Sequence, residues 1–96
     1  DLLQANGHVL DRERLGVPLA MPSTLLANRA GRLEPAGPQP GDWAARRGLG
    51  RGLAVGDLDG DARPDAVIAR LDGPPLVLRN ESPGRWLALR VETSTG

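Results

Sequence analysis

The sequence predicts an all-β fold of short strands, and three observations support this prediction. Thirteen glycines and nine prolines divide the 96 residues into short apolar runs. Residues 85–92 alternate strictly, with Leu87, Leu89 and Val91 between the other side chains, as in a strand with one buried face. No window of eleven or more residues shows a helical period free of glycine and proline. Evenly spaced short strands are typical of a sandwich, a barrel or a propeller.

Each predicted element lies between turn signals. Strands are expected at residues 1–5, 23–28, 51–55, 66–71, 76–80 and 85–92, with a short one after a turn at Gly31. The dipeptide Asn6-Gly7 predicts a tight turn. Residues 42–50 could form one helical turn capped by Asp42. The two tryptophans, Trp43 and Trp86, are expected to anchor an otherwise aliphatic core.

Composition excludes several classes of function. Twelve arginines balance twelve acidic residues, so a nucleic-acid binder with a basic surface is not expected. The chain has no cysteine, which removes disulfides, thiolate zinc sites and a cysteine nucleophile. No apolar run approaches the roughly 20 residues of a membrane span, so membrane insertion is not expected. The low aromatic content predicts a fold of marginal stability, and the start at Asp1 suggests a piece of a longer protein.

A partial internal repeat is visible. Residues 65–73 align with residues 1–7, because in each segment an aspartate precedes an apolar run that closes on an Asx-Gly turn. Residues 25–33 also resemble residues 76–87, because each segment has an apolar pair, then asparagine and arginine, a turn, Gly-Arg and an apolar residue. Repetition at this scale predicts stacked or radially arranged units.

The acidic stretch DLDGDARPD, residues 57–65, carries the clearest chemistry. Asp57, Asp59, Asp61 and Asp65 occupy positions 1, 3, 5 and 9 of the loop, and the carbonyl of Arg63 occupies position 7. A chain that curls around a hard cation presents alternate side chains inward. Six or more oxygen ligands favour Ca²⁺ over zinc or copper. These five residues therefore form the predicted metal site.

The sequence excludes an EF-hand and leaves two alternatives to this site open. An EF-hand would need a bidentate glutamate at position 12, where the sequence has Ile68, and its flanks would be helical rather than strand-like. Gly60 would permit the bend of the loop. An acidic surface turn without a metal is the plainest alternative. A pair of these aspartates acting as general acid and base is a weaker one.

Residues 51–81, RGLAVGDLDGDARPDAVIARLDGPPLVLRNE, resemble an FG-GAP/VCBS-type repeat of integrin-α-like β-propellers. The segments GRGLAVGDLDGD, NGHV (residues 6–9) and GRWLALRV extend the similarity to ASPIC/UnbV-type proteins related to cartilage acidic protein. The resemblance implies that residues 1–85 are one or two terminal propeller blades. Residues 86–96 would then be the truncated start of a C-terminal ASPIC/UnbV-like domain.

The resemblance assigns the four aspartates as side-chain ligands of Ca²⁺ and Arg63 as a carbonyl ligand. The chain departs from the family pattern at Ala62, where glycine is usual, so a positive φ there would add roughly 1 kcal/mol of strain. Val55 and Leu33 replace aromatic residues, which affects blade packing rather than ligation. His8, in the NGHV segment, is expected to have a structural hydrogen-bonding role.

These observations predict a calcium-binding propeller segment of a secreted, cell-surface or periplasmic protein, with a structural metal and no catalytic residues. Its partners would be proteins or glycans. One alternative is a non-catalytic propeller portion of a larger secreted enzyme, because propellers have both roles. Another is a regulatory sensor that changes shape when calcium binds.

Overall fold

The computed structural model describes residues 1–10, 13–36, 41–87 and 89–93, and these residues form an all-β structure. Within these ranges, eight strands make three separate antiparallel sheets, ordered β1-β3-β4, β2-β5 and β6-β7-β8. The strands are β1 Leu2–Gln4, β2 Met21–Pro22, β3 Thr24–Arg29, β4 Arg32–Pro35, β5 Arg47–Gly48, β6 Gly50–Gly56, β7 Asp65–Arg70 and β8 Leu76–Leu78. The prediction of an all-β fold is confirmed.

The hairpin between β3 and β4 forms at the predicted turn. Arg29 pairs with Arg32, so the loop has two residues, Ala30 and Gly31. Both have positive φ, at 51° and 87°. Two successive positive φ angles match the right-handed twist of the flanking strands, which explains why glycine is needed here.

The third sheet contains the buried core. Ile68 in β7 pairs with Leu53 in β6 and with Leu76 in β8, and its side chain is only 1% exposed. Ala66, two residues earlier on the same face, is also buried. These two are the only hydrophobic residues buried among those that the structure describes. The hydrophobic contribution to folding is therefore small.

A junction joins the first sheet to the third, at the position where a tight turn was predicted. Asn6-Gly7 does not form that turn, because neither residue has a positive φ. The side chain of Asn6 instead donates to the Pro22 carbonyl at 3.0 Å, and the backbone carbonyl of Asn6 accepts the N–H of Gly50 at 2.9 Å. A Cβ on Gly7 would lie 2.6 Å from Nη1 of Arg51, so glycine permits this close approach.

Arg51 completes the junction. The pairing of β6 with β7 shifts between Gly50 and Gly52, so Arg51 is the extra residue of a β-bulge. Its guanidinium donates to the carbonyls of Gly7 at 3.2 Å and His8 at 2.7 Å. The backbone of His8 also donates its N–H to the Leu19 carbonyl at 3.0 Å, while a structural hydrogen bond of its side chain stays a prediction.

The internal repeat has a structural counterpart. Asn28 donates its backbone N–H to Oδ1 of Asp1 at 2.8 Å, and Asn80 donates to Oδ1 of Asp65 at the same distance. In both sheets the aspartate stands at the start of a strand and the asparagine follows the paired segment of the next strand. The registers agree as well, since the pairs are Leu2 with Leu26 and Ala66 with Leu78.

The prediction of a strand at residues 85–92 is wrong for the residues of this segment that the structure describes. Residues 85–87 and 89–92 belong to no strand, and Ala88 lies outside the described residues. Leu87 and Val91 are 80% and 88% exposed. A strand forms only with a partner that satisfies its backbone groups, and no neighbouring strand pairs with this segment in the described part of the chain.

Two local predictions also need correction. Trp86 is exposed rather than a core anchor, whereas Trp43 is half-buried. The helical turn near residue 42 exists as a 3₁₀ helix, Asp42–Ala45, but its N-cap is Gly41. Asp42 pairs instead with the Arg46 guanidinium at 2.7 Å, four residues later.

Candidate metal site

The acidic loop connects β6 to β7. Gly56, the last residue of β6, pairs directly with Asp65, the first residue of β7, so the ladder holds the two ends of the loop together. Gly60 has φ +80°, which confirms that it permits the bend. The loop is therefore a closed turn of the chain between two adjacent strands.

Three of the predicted ligands lie together. Asp57, Asp59 and Asp61 each offer one carboxylate oxygen, and these oxygens lie within 4.8 Å of one another. Oxygens that bind one Ca²⁺ at 2.3–2.6 Å are at most about 5 Å apart. The three carboxylates could therefore hold one metal ion, since their oxygens lie close enough together to share it.

Asp57 organises the backbone of the loop. Its Oδ1 accepts the N–H of Gly60 at 2.8 Å and of Asp61 at 3.2 Å, and its Oδ2 accepts the N–H of Ala62 at 2.9 Å. These bonds fold the chain back toward its first residue, as Asx turns do. Because the donated N–H groups also offset negative charge, the loop has some internal compensation.

Two arginines face the other carboxylates. Nε of Arg79 lies 2.8 Å from Oδ2 of Asp59, and Nε of Arg63 lies 3.7 Å from Oδ2 of Asp61. The second distance is too long for a hydrogen bond, and the buried Arg63 Nε atom has no acceptor among the described residues. The backbone N–H of Arg63 donates to Oδ1 of Asp61 at 2.9 Å. Ligation by the Arg63 carbonyl stays a prediction.

Asp65 lies beside the cluster rather than in it. Its side chain is 2% exposed, and its oxygens accept the N–H of Asn80 at 2.8 Å and of Leu58 at 2.9 Å. The Asn80 N–H, followed by that of Leu58, lowers the pKa of Asp65 below its usual 3.8, and the positive charge of Arg79 acts in the same direction. A carboxylate oxygen has a second lone pair, so metal ligation by Asp65 stays a prediction.

Ala62 has φ +65°, the left-handed conformation that its position in the loop requires. The sequence identified this residue as the departure from a glycine pattern, and the structure confirms the positive φ. Alanine in this conformation costs roughly 1 kcal/mol relative to glycine. The N–H of Ala62 donates to Oδ2 of Asp57 in this strained conformation.

Arg79 and Asn80 are neighbours of the acidic loop that the sequence interpretation did not single out. Both follow β8, about 15 residues after the loop, yet they contact Asp59 and Asp65. Asn80 could have been found from the repeat, because Asn28 has the equivalent position in the first sheet. Arg79 has no such signal in the sequence, since the ion pair depends on how β8 pairs with β7.

Comparison of the chain with protein-family models, with curated proteins and with solved structures finds no match in any of the three. Within the described ranges, no helix combines the length and the apolar character that a membrane crossing requires. The geometry of the acidic loop is therefore the observation from which function can be argued.

Proposed function

We propose that the chain is a calcium-binding β-sheet module in which the metal is structural. The observation that carries this proposal is the convergence of Asp57, Asp59 and Asp61 on one point, with oxygens within 4.8 Å of one another. When bound, Ca²⁺ would add positive charge to that which Arg63 and Arg79 already place beside Asp61 and Asp59. Arg63 and Asp65 are the further candidate ligands.

A structural role suits the small core of the protein. Little apolar surface is buried in the third sheet, so an ion that binds only the folded loop would add a substantial share of its stability. The loop joins β6 to β7, and Asp65 joins both to the segment after β8 through Asn80. Order in the loop therefore affects all three strands of this sheet.

We propose further that the sheets are blades of a β-propeller in a secreted, cell-surface or periplasmic protein that binds protein or glycan partners. The equivalent Asp-Asn bonds of the first and third sheets support a repeating unit. The resemblance to FG-GAP/VCBS-type repeats supports the same interpretation. Extracellular calcium modules bind at about 10⁻⁴–10⁻³ M, a concentration range found outside the cytosol.

Calorimetric titration with Ca²⁺ up to about 10 mM tests the metal site, because this range covers the affinities of extracellular modules. We expect saturable binding to the chain and at least tenfold weaker binding to Asp59→Asn. Asp59 is suited to this substitution because it accepts fewer backbone bonds than Asp57.

Asp42→Asn is the matched control, since Asp42 is an exposed aspartate that pairs with an arginine away from the loop. This variant should bind Ca²⁺ like the unmodified chain. If the folded chain shows no heat of binding up to about 10 mM Ca²⁺, the proposal is contradicted.

A further inference from the structure

Asn6 is the one asparagine of the chain that is followed by glycine, since Asn28 precedes an arginine and Asn80 a glutamate. Asparagine is among the chemically labile residues of proteins. The backbone nitrogen of the next residue can attack its side-chain amide carbon, and glycine hinders this attack least because it has no Cβ. The sequence therefore makes Asn6-Gly7 the point of the chain most prone to deamidation.

Deamidation at this point is a hydrolysis with water as the co-reactant. The nitrogen of Gly7 bonds to Cγ of Asn6, the bond from Cγ to Nδ2 breaks, and the proton of the Gly7 nitrogen leaves with ammonia. Water then opens the resulting succinimide ring at either carbonyl and gives aspartate or isoaspartate. Both products carry a new negative charge, and isoaspartate also adds a methylene group to the backbone.

The structure holds the amide that would react. Nδ2 of Asn6 donates to the Pro22 carbonyl at 3.0 Å and to Oγ1 of Thr24 at 2.9 Å. An amide NH₂ group has two hydrogens, so both are used. Because the reaction expels Nδ2 as ammonia, it cannot finish while these bonds persist.

The products do not fit the same place. A carboxylate has no hydrogen to donate, so an oxygen in the position of Nδ2 would face the Pro22 carbonyl, which is another acceptor. The backbone at Gly7 has no room for a methylene group, because a Cβ there would lie 2.6 Å from Nη1 of Arg51 and 2.9 Å from Cα of Leu49. Either product therefore opposes the contacts that join the first sheet to the third.

We propose that Asn6 is a deamidation site that is protected by the junction between the first and third sheets. The side chain reacts when the junction opens, and the product then keeps the junction open. Hydrolysis with loss of ammonia does not reverse, so each opening that leads to reaction leaves a permanent change. This inference is independent of the proposed calcium site.

Incubation of the full chain at neutral pH, followed by tandem mass spectrometry, tests the protection. We expect Asn6 to deamidate roughly tenfold more slowly, or slower still, in the folded chain than in concentrated guanidinium chloride. Asn28 and Asn80, measured in the same digests, should react more slowly than Asn6 in the denaturant. Equal rates at Asn6 in the folded and the denatured chain would overturn the inference.

Two variants open the junction from different sides. Arg51→Ala removes the donors to the Gly7 and His8 carbonyls and should raise the folded-state rate at Asn6 roughly five- to thirtyfold. Thr24→Val removes one acceptor of the Asn6 amide and should raise it roughly two- to tenfold. Arg32→Ala, at an exposed position in β4, is the control and should leave the rate unchanged. If neither variant accelerates deamidation, the inference is overturned.

The effect of the product is measured separately, by hydrogen exchange at the N–H of Gly50. Asn6→Asp reproduces one product and should accelerate this exchange roughly tenfold. Asn28→Asp is the matched control, because the Asn28 side chain accepts the N–H of Gly31 at 2.8 Å and aspartate keeps that acceptor. Equal exchange at Gly50 in the two variants would show that the product does not open the junction, which would also overturn the inference.

Discussion

Asn80 donates its backbone N–H to Oδ1 of Asp65 at 2.8 Å, which fixes the end of β8 against the first residue of β7. Oδ2 of the same carboxylate accepts the N–H of Leu58 at 2.9 Å, within the acidic loop. One buried side chain thus joins three segments of the chain. Asp1 and Asn28 make the equivalent bond in the first sheet, so this arrangement recurs in two sheets of the fold.

The first prediction concerns this carboxylate. Asp65→Asn keeps the size of the side chain but replaces one acceptor oxygen by an NH₂ donor, which would face a backbone N–H. We expect the melting temperature in EDTA to fall by roughly 5–10 °C, because a buried donor is left without an acceptor. Asp42→Asn, at an exposed position, should change it by about 1 °C or less. Equal melting temperatures for the two variants would contradict this role of Asp65.

The sequence predicted this sheet well because its signals are local. The runs of β6, β7 and β8 are apolar and are bounded by glycine, proline and aspartate, so their positions follow from pattern alone. The convergence of the loop aspartates follows from their alternate spacing, and the structure brings Asp57, Asp59 and Asp61 together. The local sequence pattern therefore predicted both the strands of this sheet and the grouping of the three carboxylates.

The errors occur where distant segments decide the outcome. Asn6-Gly7 has the composition of a turn, but bonds to Pro22 and Gly50 fix it in another conformation. Residues 85–92 have the alternation of a strand, but a strand also needs a partner. The pairing of Arg79 with Asp59 likewise depends on how strands pair, which no local pattern encodes.

The second prediction is a loss of stability in acid through Asp72. The side chain of Arg70, and then the N–H of Leu49, lowers the pKa of Asp72 below its usual 3.8. A lowered folded-state pKa means that the stabilisation is complete above the unfolded-state value and is lost as pH falls through the folded-state pKa. The difference in melting temperature between the unmodified chain and Asp72→Asn should therefore shrink below about pH 4.

Thermal unfolding between pH 6 and pH 2 in EDTA measures this effect. Arg70→Gln removes the largest cause of the lowered pKa, and introducing Asp72→Asn into that background should produce a smaller pH-dependent difference. A difference that stays constant across the range would show that Asp72 does not act through its charge.

The third prediction concerns the positive φ of Ala62. Ala62→Gly should raise the free energy of unfolding by up to about 1 kcal/mol, because relief of the left-handed strain exceeds the added entropy of the unfolded chain. The same exchange at Ala54, inside β6, should lower it by about 0.5–1 kcal/mol, since no strain is present there to relieve. Urea unfolding of both variants measures the two changes. Changes of the same sign would show that φ at Ala62 is not the cause.

The fourth prediction concerns the junction between the first and third sheets. Arg51→Ala removes the donors to the carbonyls of Gly7 and His8 and should destabilise the protein by about 1–2 kcal/mol. Hydrogen exchange should show faster exchange at the N–H of Gly50, which bonds to the Asn6 carbonyl in the same junction. Arg32→Ala, at an exposed position in β4, serves as the control and should change neither property. Unchanged exchange at Gly50 in Arg51→Ala would show that the arginine does not hold the junction.

The fifth prediction is that Ca²⁺ stabilises the folded chain by mass action. A ligand that binds only the folded state adds RT ln(1 + [L]/Kd) to the free energy of unfolding. With a Kd of about 10⁻³ M, 10 mM Ca²⁺ would add about 1.4 kcal/mol, and with about 10⁻⁴ M it would add about 2.7 kcal/mol. Thermal unfolding across a Ca²⁺ series, at constant ionic strength, measures the increase.

The chemistry of the loop also predicts which variants lose this stabilisation. Asp61→Asn removes one of the three converging carboxylates and should reduce the effect of Ca²⁺ on the melting temperature to that of ionic strength. Mg²⁺ at the same concentration should stabilise the unmodified chain less, because it requires a tighter octahedral arrangement and retains its waters. Equal stabilisation of Asp61→Asn and the unmodified chain by Ca²⁺ would place the ion elsewhere, since only a site built on these carboxylates depends on Asp61.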